Sequence, residues 1–167
     1  MKPAAKGKPP ATAPQCTGRH FAIVAARFYR ELTDWLMDGA KRALVDCGVS
    51  PADIDVIEVP GCFELPLACL KLVDADRYDG IVALGVVIRG DTPHFDFVAG
   101  ECARGIMDAQ LTTGVPIGFG VLTTENLAQA EERADPARGD KGYEAAIAAA
   151  SLVAIPAKLP RAGFRKI

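Results

Sequence analysis

The stretch Ile81-Val82-Ala83-Leu84-Gly85-Val86-Val87-Ile88-Arg89-Gly90-Asp91-Thr92-Pro93-His94 decides the fold. Its first eight residues are apolar or glycine and lack the polar alternation of a half-exposed strand, which predicts a central strand covered on both faces. The glycine and proline that follow end the strand and open a helix at about His94. A buried strand feeding a helix is one unit of a parallel sheet, and the flanking sequence repeats the unit. Strands are predicted at 21–26, 55–59 and 115–121 besides 81–88. Helices are predicted at 31–47, 63–73, 94–111, 124–134 and 141–155. In the first helix Leu32, Leu36, Ala40, Ala43 and Cys47 recur at three- and four-residue intervals as one apolar stripe, and Gly48 stops it. In the third, Phe95, Val98, Cys102, Ile106 and Ala109 share a side. The last helix, rich in alanine from Ala145 to Ala150, is suited to close approach. Alternating strands and helices predict a three-layer α/β/α sandwich around a four-stranded parallel sheet.

The chain has 167 residues, half of them apolar, which suits one domain with a substantial core. Residues 1–18 carry Pro3, Pro9, Pro10 and Pro14 and are expected to form an unpacked tail; 19–155 form the domain and 156–167 a basic trailing segment. Eight of the 19 basic groups lie in residues 1–19 and 156–167, which hold no acid, so the body carries 11 against all 21 acidic groups, a net of −10. Such a body repels polyanions, which argues against a nucleic-acid partner. The N-terminus lacks the apolar core of a secretory signal and no run approaches a membrane span, so a soluble, cytoplasmic protein is expected without a membrane partner. Five cysteines without CxxC or Cys/His spacing point to reduced, buried thiols and not to a metal site.

Ligands of open parallel sheets bind beyond the carboxyl ends of the strands. There the turn Gly90-Asp91-Thr92 offers helix-start amides and a hydroxyl to a phosphate or carboxylate. The same spacing also serves a plain turn in which Asp91 or Thr92 caps the helix. His94, on the first helical turn, is a candidate for proton transfer, whereas His20, ahead of the first strand, reads as structural. Phe28 and Phe119, the latter between Gly118 and Gly120, are candidates for stacking on a planar ligand or for core packing. Gly61-Cys62-Phe63-Glu64 brings free amides and a carboxylate to a strand-to-helix junction, where Glu64 alternatively complements the helix dipole. Arg133 reads as a surface pair or a C-terminal dipole partner. Lys141 opens a helix where a cation is locally unfavourable.

Taken together, Arg27-Phe28, Val59-Pro60-Gly61-Cys62-Phe63-Glu64-Leu65-Pro66, Leu84 through Asp96, Gly120 through Asn126 and Lys141-Gly142 resemble the lumazine synthases of riboflavin biosynthesis, over residues 19–155. The resemblance implies a flavodoxin-like sandwich assembling into pentamers, or into a larger shell. It implies condensation of 5-amino-6-(D-ribitylamino)uracil with 3,4-dihydroxy-2-butanone 4-phosphate to 6,7-dimethyl-8-ribityllumazine, phosphate and water, with no cofactor or metal. On that pattern Phe28 stacks on the pyrimidine, Cys62, Phe63 and Glu64 line the ribityl and ring site, and Val86, Val87 and Ile88 bind the heterocycle through their backbone. Asp91 and Thr92 contact the phosphate and His94 moves protons. Phe119, Arg133 and Lys141 come from the adjacent subunit, Arg133 clamping the phosphate. Tyr29 and Cys62 depart from the commoner Asn and Ala, and Asp91 stands where Glu is frequent. A noncatalytic lumazine-binding module would retain Phe28 and 61–64 but have no need of His94 and Arg133 together.

Overall fold

The apolar run is the middle of the molecule. In the computed structural model, which describes residues 12–156, Gly80–Ile88 forms a strand buried at every position except its last. In chain order the elements are β1 (Phe21–Ala26), α1 (Arg30–Asp46), β2 (Ile54–Val59), α2 (Leu65–Asp74), β3 (Gly80–Ile88), α3 (His94–Thr113), β4 (Ile117–Thr124), α4 (Leu127–Ala134) and α5 (Lys141–Val153). The strands are all parallel in the order β2-β1-β3-β4.

Alternate side chains of β1 and β3 feed two cores, one on each face of the sheet. Phe21, Ile23, Val82 and Leu84 join the α1, α4 and α5 side, where the whole predicted α1 stripe is buried. Ala22, Val24, Ile81 and Ala83 pack with Leu65, Cys69, Cys102, Ile106 and Ala109 of α2 and α3 on the other. Small residues set the first layer's thickness. A Cβ at Gly118 would run into the Ala145 carbonyl of α5, and one at Gly142 into the Leu36 backbone of α1. The close approach expected of the last helix is therefore made on both sides. Gly48, at φ +84°, turns the chain out of α1.

Some boundaries differ from the sequence expectation. The fourth strand begins two residues later and ends three later than 115–121, because its register with β3 continues through Val87↔Thr123 and Ile88↔Thr124. The following helix starts at Leu127 and not at 124, capped by Asn126, whose Oδ1 accepts the Gln129 N–H at 2.9 Å. Helix α2 starts at Leu65, preceded by a single 3-10 turn at Cys62–Glu64. The expected tail of 1–18 is too long. Cys16 is 1% exposed, donates its N–H to the Cys47 carbonyl at 2.8 Å, and points its thiol at the Ala150 carbonyl. Burying this thiol against α1 and α5 offsets the ordering of the short segment before β1. Residues 1–11 of that tail and all but Pro156 of the basic C-terminal segment lie outside the described residues.

Candidate active site

The strand order places the switch of direction between β1 and β3. From β1 the chain moves outward to β2, then crosses back to β3 on β1's other side. A crevice forms at the carboxyl end of such a switch point. Here it is a cleft of about 580 Å³, lined from β1 by Phe28 and Tyr29, from the β2–α2 junction by 61–64, from β3 by Val86, Val87 and Ile88, and from the next turn by Gly90, Thr92 and His94.

Each wall has a local cause. β1 pairs with β3 only as far as Ala25↔Leu84, whereas β3 remains paired with β4 to Ile88. The backbone of Val86–Ile88 on the β1 side thus has no strand beside it, leaving peptide groups for a planar ligand whose edge carries N–H and C=O groups. Above it the β1–α1 turn is locked by Thr33, buried in α1, whose hydroxyl donates to the Ala26 carbonyl at 2.8 Å. Arg27 braces the same turn through Asp34 at 2.7 Å and Glu58 at 3.2 Å. The following Phe28 is 75% exposed and edge-on to Tyr29, with ring centroids 5.1 Å apart. Covering that ring with a flat ligand is worth on the order of 1–2 kcal/mol.

Cys62 forms part of the floor. Its thiol points at the Val86 carbonyl at 3.7 Å and occupies space that a side chain at position 85 would need. Burial pushes this thiol up to about 12, and those of Cys69 and Cys102 likewise. A group so shifted stays protonated at neutral pH and is no nucleophile. Alkylation of Cys62 by iodoacetamide at pH 8 is expected to run at least ~100-fold slower than that of free cysteine. Rapid labelling of the folded protein, followed by peptide mass mapping, would contradict this. All five cysteines are unpaired and buried.

His94 opens α3 exposed, its N–H directed at the Thr92 Oγ1 at 3.4 Å. Asp91, on the same turn, is exposed and stands outside the cleft lining. Glu64 lines the cleft at the start of α2, where its carboxylate also meets the helix dipole. Three of the expected site residues are elsewhere. Phe119, Arg133 and Lys141 lie together in a second cleft of about 390 Å³, formed by the outer surface of β4 with α4 and α5. There Arg133 spends one N–H on the Gln129 carbonyl at 3.0 Å, and Lys141 pairs with Glu144. Tyr29, Phe95, Phe97 and Val98 also line the first cleft although the sequence reading gave them no site role. For Phe95 and Phe97 the signal was their place beside His94 on the first two turns of a helix that starts at the cleft. His20, near Asp53 at 3.6 Å, is at the opposite end of the sheet.

Among the described residues no helix is long and apolar enough to cross a membrane, and no group of three or more His, Cys, Asp or Glu is arranged to hold a metal. A doubly wound α/β scaffold with an aromatic strand-end cleft, free strand backbone and a helix-start turn defines a small-molecule-binding protein of the flavodoxin-like class. The particular family follows from comparison with known proteins: over residues 18–157 the chain matches the 6,7-dimethyl-8-ribityllumazine synthase family, and it belongs to that family. It is 52% identical over 136 residues to the 6,7-dimethyl-8-ribityllumazine synthase of Gemmatimonas aurantiaca, a match covering 81% of this chain and 83% of the relative. To the synthase of the same name from Desulfotalea psychrophila it is 50% identical over 132 residues, 79% of this chain and 85% of the relative. Family membership makes the chain an enzyme of riboflavin biosynthesis.

Proposed function

We propose that the chain condenses 5-amino-6-(D-ribitylamino)uracil with 3,4-dihydroxy-2-butanone 4-phosphate to 6,7-dimethyl-8-ribityllumazine, releasing phosphate and water, at sites shared between neighbouring copies of a homopentamer. The observation that carries this reading is the partition of the candidate residues. Phe28, Cys62, Phe63, Glu64, Val86–Ile88, Thr92 and His94 share one cleft, whereas Phe119, Arg133 and Lys141 share another on the same chain. Neither cleft is complete. Among the described residues the first has stacking surfaces, backbone donors and acceptors and an imidazole but no Lys or Arg in its lining; the second has two cations and an exposed ring but no histidine. Apposing the first cleft of one copy with the second of the next brings Arg133 toward the Gly90–Thr92 amides, giving a phosphate both a cation and oriented N–H groups.

The chemistry asks little of a nucleophilic side chain. The 5-amino nitrogen adds to the ketone carbon and water leaves as the imine forms. Loss of a carbon-bound proton then expels phosphate as its C–O bond breaks, and the ribityl-bearing nitrogen closes the second ring with loss of water. Phe28 stacks the pyrimidine, the Val86–Ile88 backbone reads its edge, Cys62, Phe63 and Glu64 receive the ribityl chain, and His94 carries protons between these steps. Asp91 faces the phosphate only through its backbone N–H, since its carboxylate would repel it.

Mixing the purified protein with both substrates and recording the lumazine chromophore tests the reaction. Product above the spontaneous rate is expected, and none would overturn the assignment. Solution mass tests the assembly: a pentamer or a multiple of it is expected, and a monomeric enzyme of full activity would remove the shared site.

A further inference from the structure

Arg89 is the first residue past β3, and nothing above gives it a task. It lines neither cleft, yet its side chain meets two carboxylates and an aromatic ring. Its backbone N–H donates to the Thr124 carbonyl at 2.9 Å, extending the β3–β4 ladder by one bond. Its Nε donates to Glu125 at 2.8 Å on the β4–α4 loop, and Nη1 lies 3.3 Å from Asp96 on the first turn of α3. The guanidinium carbon stands 4.2 Å from the ring centroid of Phe95, which lines the first cleft. One planar cation is thus held at once by a loop, a helix start and an aromatic face, and the turn between them is Gly90-Asp91-Thr92-Pro93.

From this arrangement we infer that Arg89 is a positioning residue for the phosphate-binding turn. Both carboxylates are already on its fork, so it has little charge to spare for an anion and acts through the turn's geometry. Glu125 fixes the strand end of the turn and Asp96 with Phe95 fixes its helix end. The amides of 90–92 and the His94 side chain are thereby held at a set height above the Val86–Ile88 backbone. With the span pinned at both ends, the turn meets a phosphate without reorganising. Lysine cannot replace this: a point charge on a flexible stem does not serve two carboxylates in one plane while lying flat on a ring. Exposed ion pairs contribute little to stability, so loss of Arg89 leaves the fold intact.

The inference rests on the proposed reaction for its kinetic readout but has a second readout without turnover. Arg89→Ala and Arg89→Lys are each expected to raise KM for the butanone phosphate, and the inhibition constant of inorganic phosphate, by about tenfold. KM for the aminouracil should stay within about twofold, because the stacking ring and strand backbone do not depend on the turn. Inorganic phosphate titrated into each protein and followed by 31P line broadening should show the same weakening. Wild-type behaviour of Arg89→Lys would overturn the inference, as would a parallel rise of both KM values with a lowered melting temperature, which marks general loosening. Failure of the wild type to make lumazine while it still binds phosphate more tightly than both variants would sink the proposed reaction and leave the role of Arg89 standing.

Discussion

Arg133→Ala is expected to lower kcat/KM for the butanone phosphate by about 100-fold, the equivalent of the 2–3 kcal/mol that a charge-assisted hydrogen bond to a phosphate contributes. The melting temperature should barely move, since Arg133 is exposed and its described hydrogen bond goes to a carbonyl of its own helix. Steady-state kinetics with each substrate varied in turn would check this. A loss confined to the aminouracil, or no loss, would separate Arg133 from the phosphate. The decisive extension is complementation. In a shared site, Arg133→Ala spoils the contribution a copy makes to its neighbour, whereas Phe28→Ala spoils the copy's own strand-end cleft. Equal mixing during assembly leaves about a quarter of neighbour pairs with both halves intact, so two weak variants should together recover about that share of wild-type activity. Sites built within single chains recover nothing.

The division between the two clefts explains what the sequence disclosed and what it withheld. β3 was legible because a strand buried on both faces has no polar residue to disguise it, and α1 because its stripe is continuous from Leu32 to Cys47. The end of β4 was not. Thr123 read as loop and Thr124 as the start of the next helix, yet Thr124 is 2% exposed, its hydroxyl donating to the Asn126 carbonyl, so a polar strand end was satisfied internally. Cys16 was hidden by its company, since four prolines in the first 18 residues dominate the composition while one buried thiol decides the packing.

The candidate site divides in the same way. Strand-end residues such as Phe28 and His94 are local features, visible as a ring or an imidazole just past an apolar run. Phe95 was read as part of an apolar stripe; it is only half-buried, and the stripe runs on into the cleft at its N-terminal end. Phe119 is different. It lies in mid-strand, 45% exposed, on a sheet surface that the chain's own helices leave open. Periodicity along one chain reports which face is apolar but not which molecule covers it, so the role proposed for Phe119, Arg133 and Lys141 rests on resemblance and not on the pattern of the sequence.

His94→Ala should have the next largest effect, lowering kcat by roughly 10- to 50-fold while leaving both KM values near wild type. General acid-base catalysis by a positioned side chain reaches higher factors where water is excluded and the proton transfer is difficult. Here the His94 ring is exposed on the chain and stands at the first turn of α3, where its backbone N–H is directed at the Thr92 hydroxyl. Water can therefore take its place. On the proposed mechanism the larger part of the rate comes from holding amine and ketone in one cleft, an advantage that survives loss of the imidazole. Free imidazole added to the variant should restore part of the rate in proportion to its concentration, a response that loss of a merely structural histidine would not show. If kcat instead falls to the spontaneous level with both substrates still bound, proton transfer is the main barrier, and the aromatic and backbone contacts that fill most of the cleft serve binding more than rate.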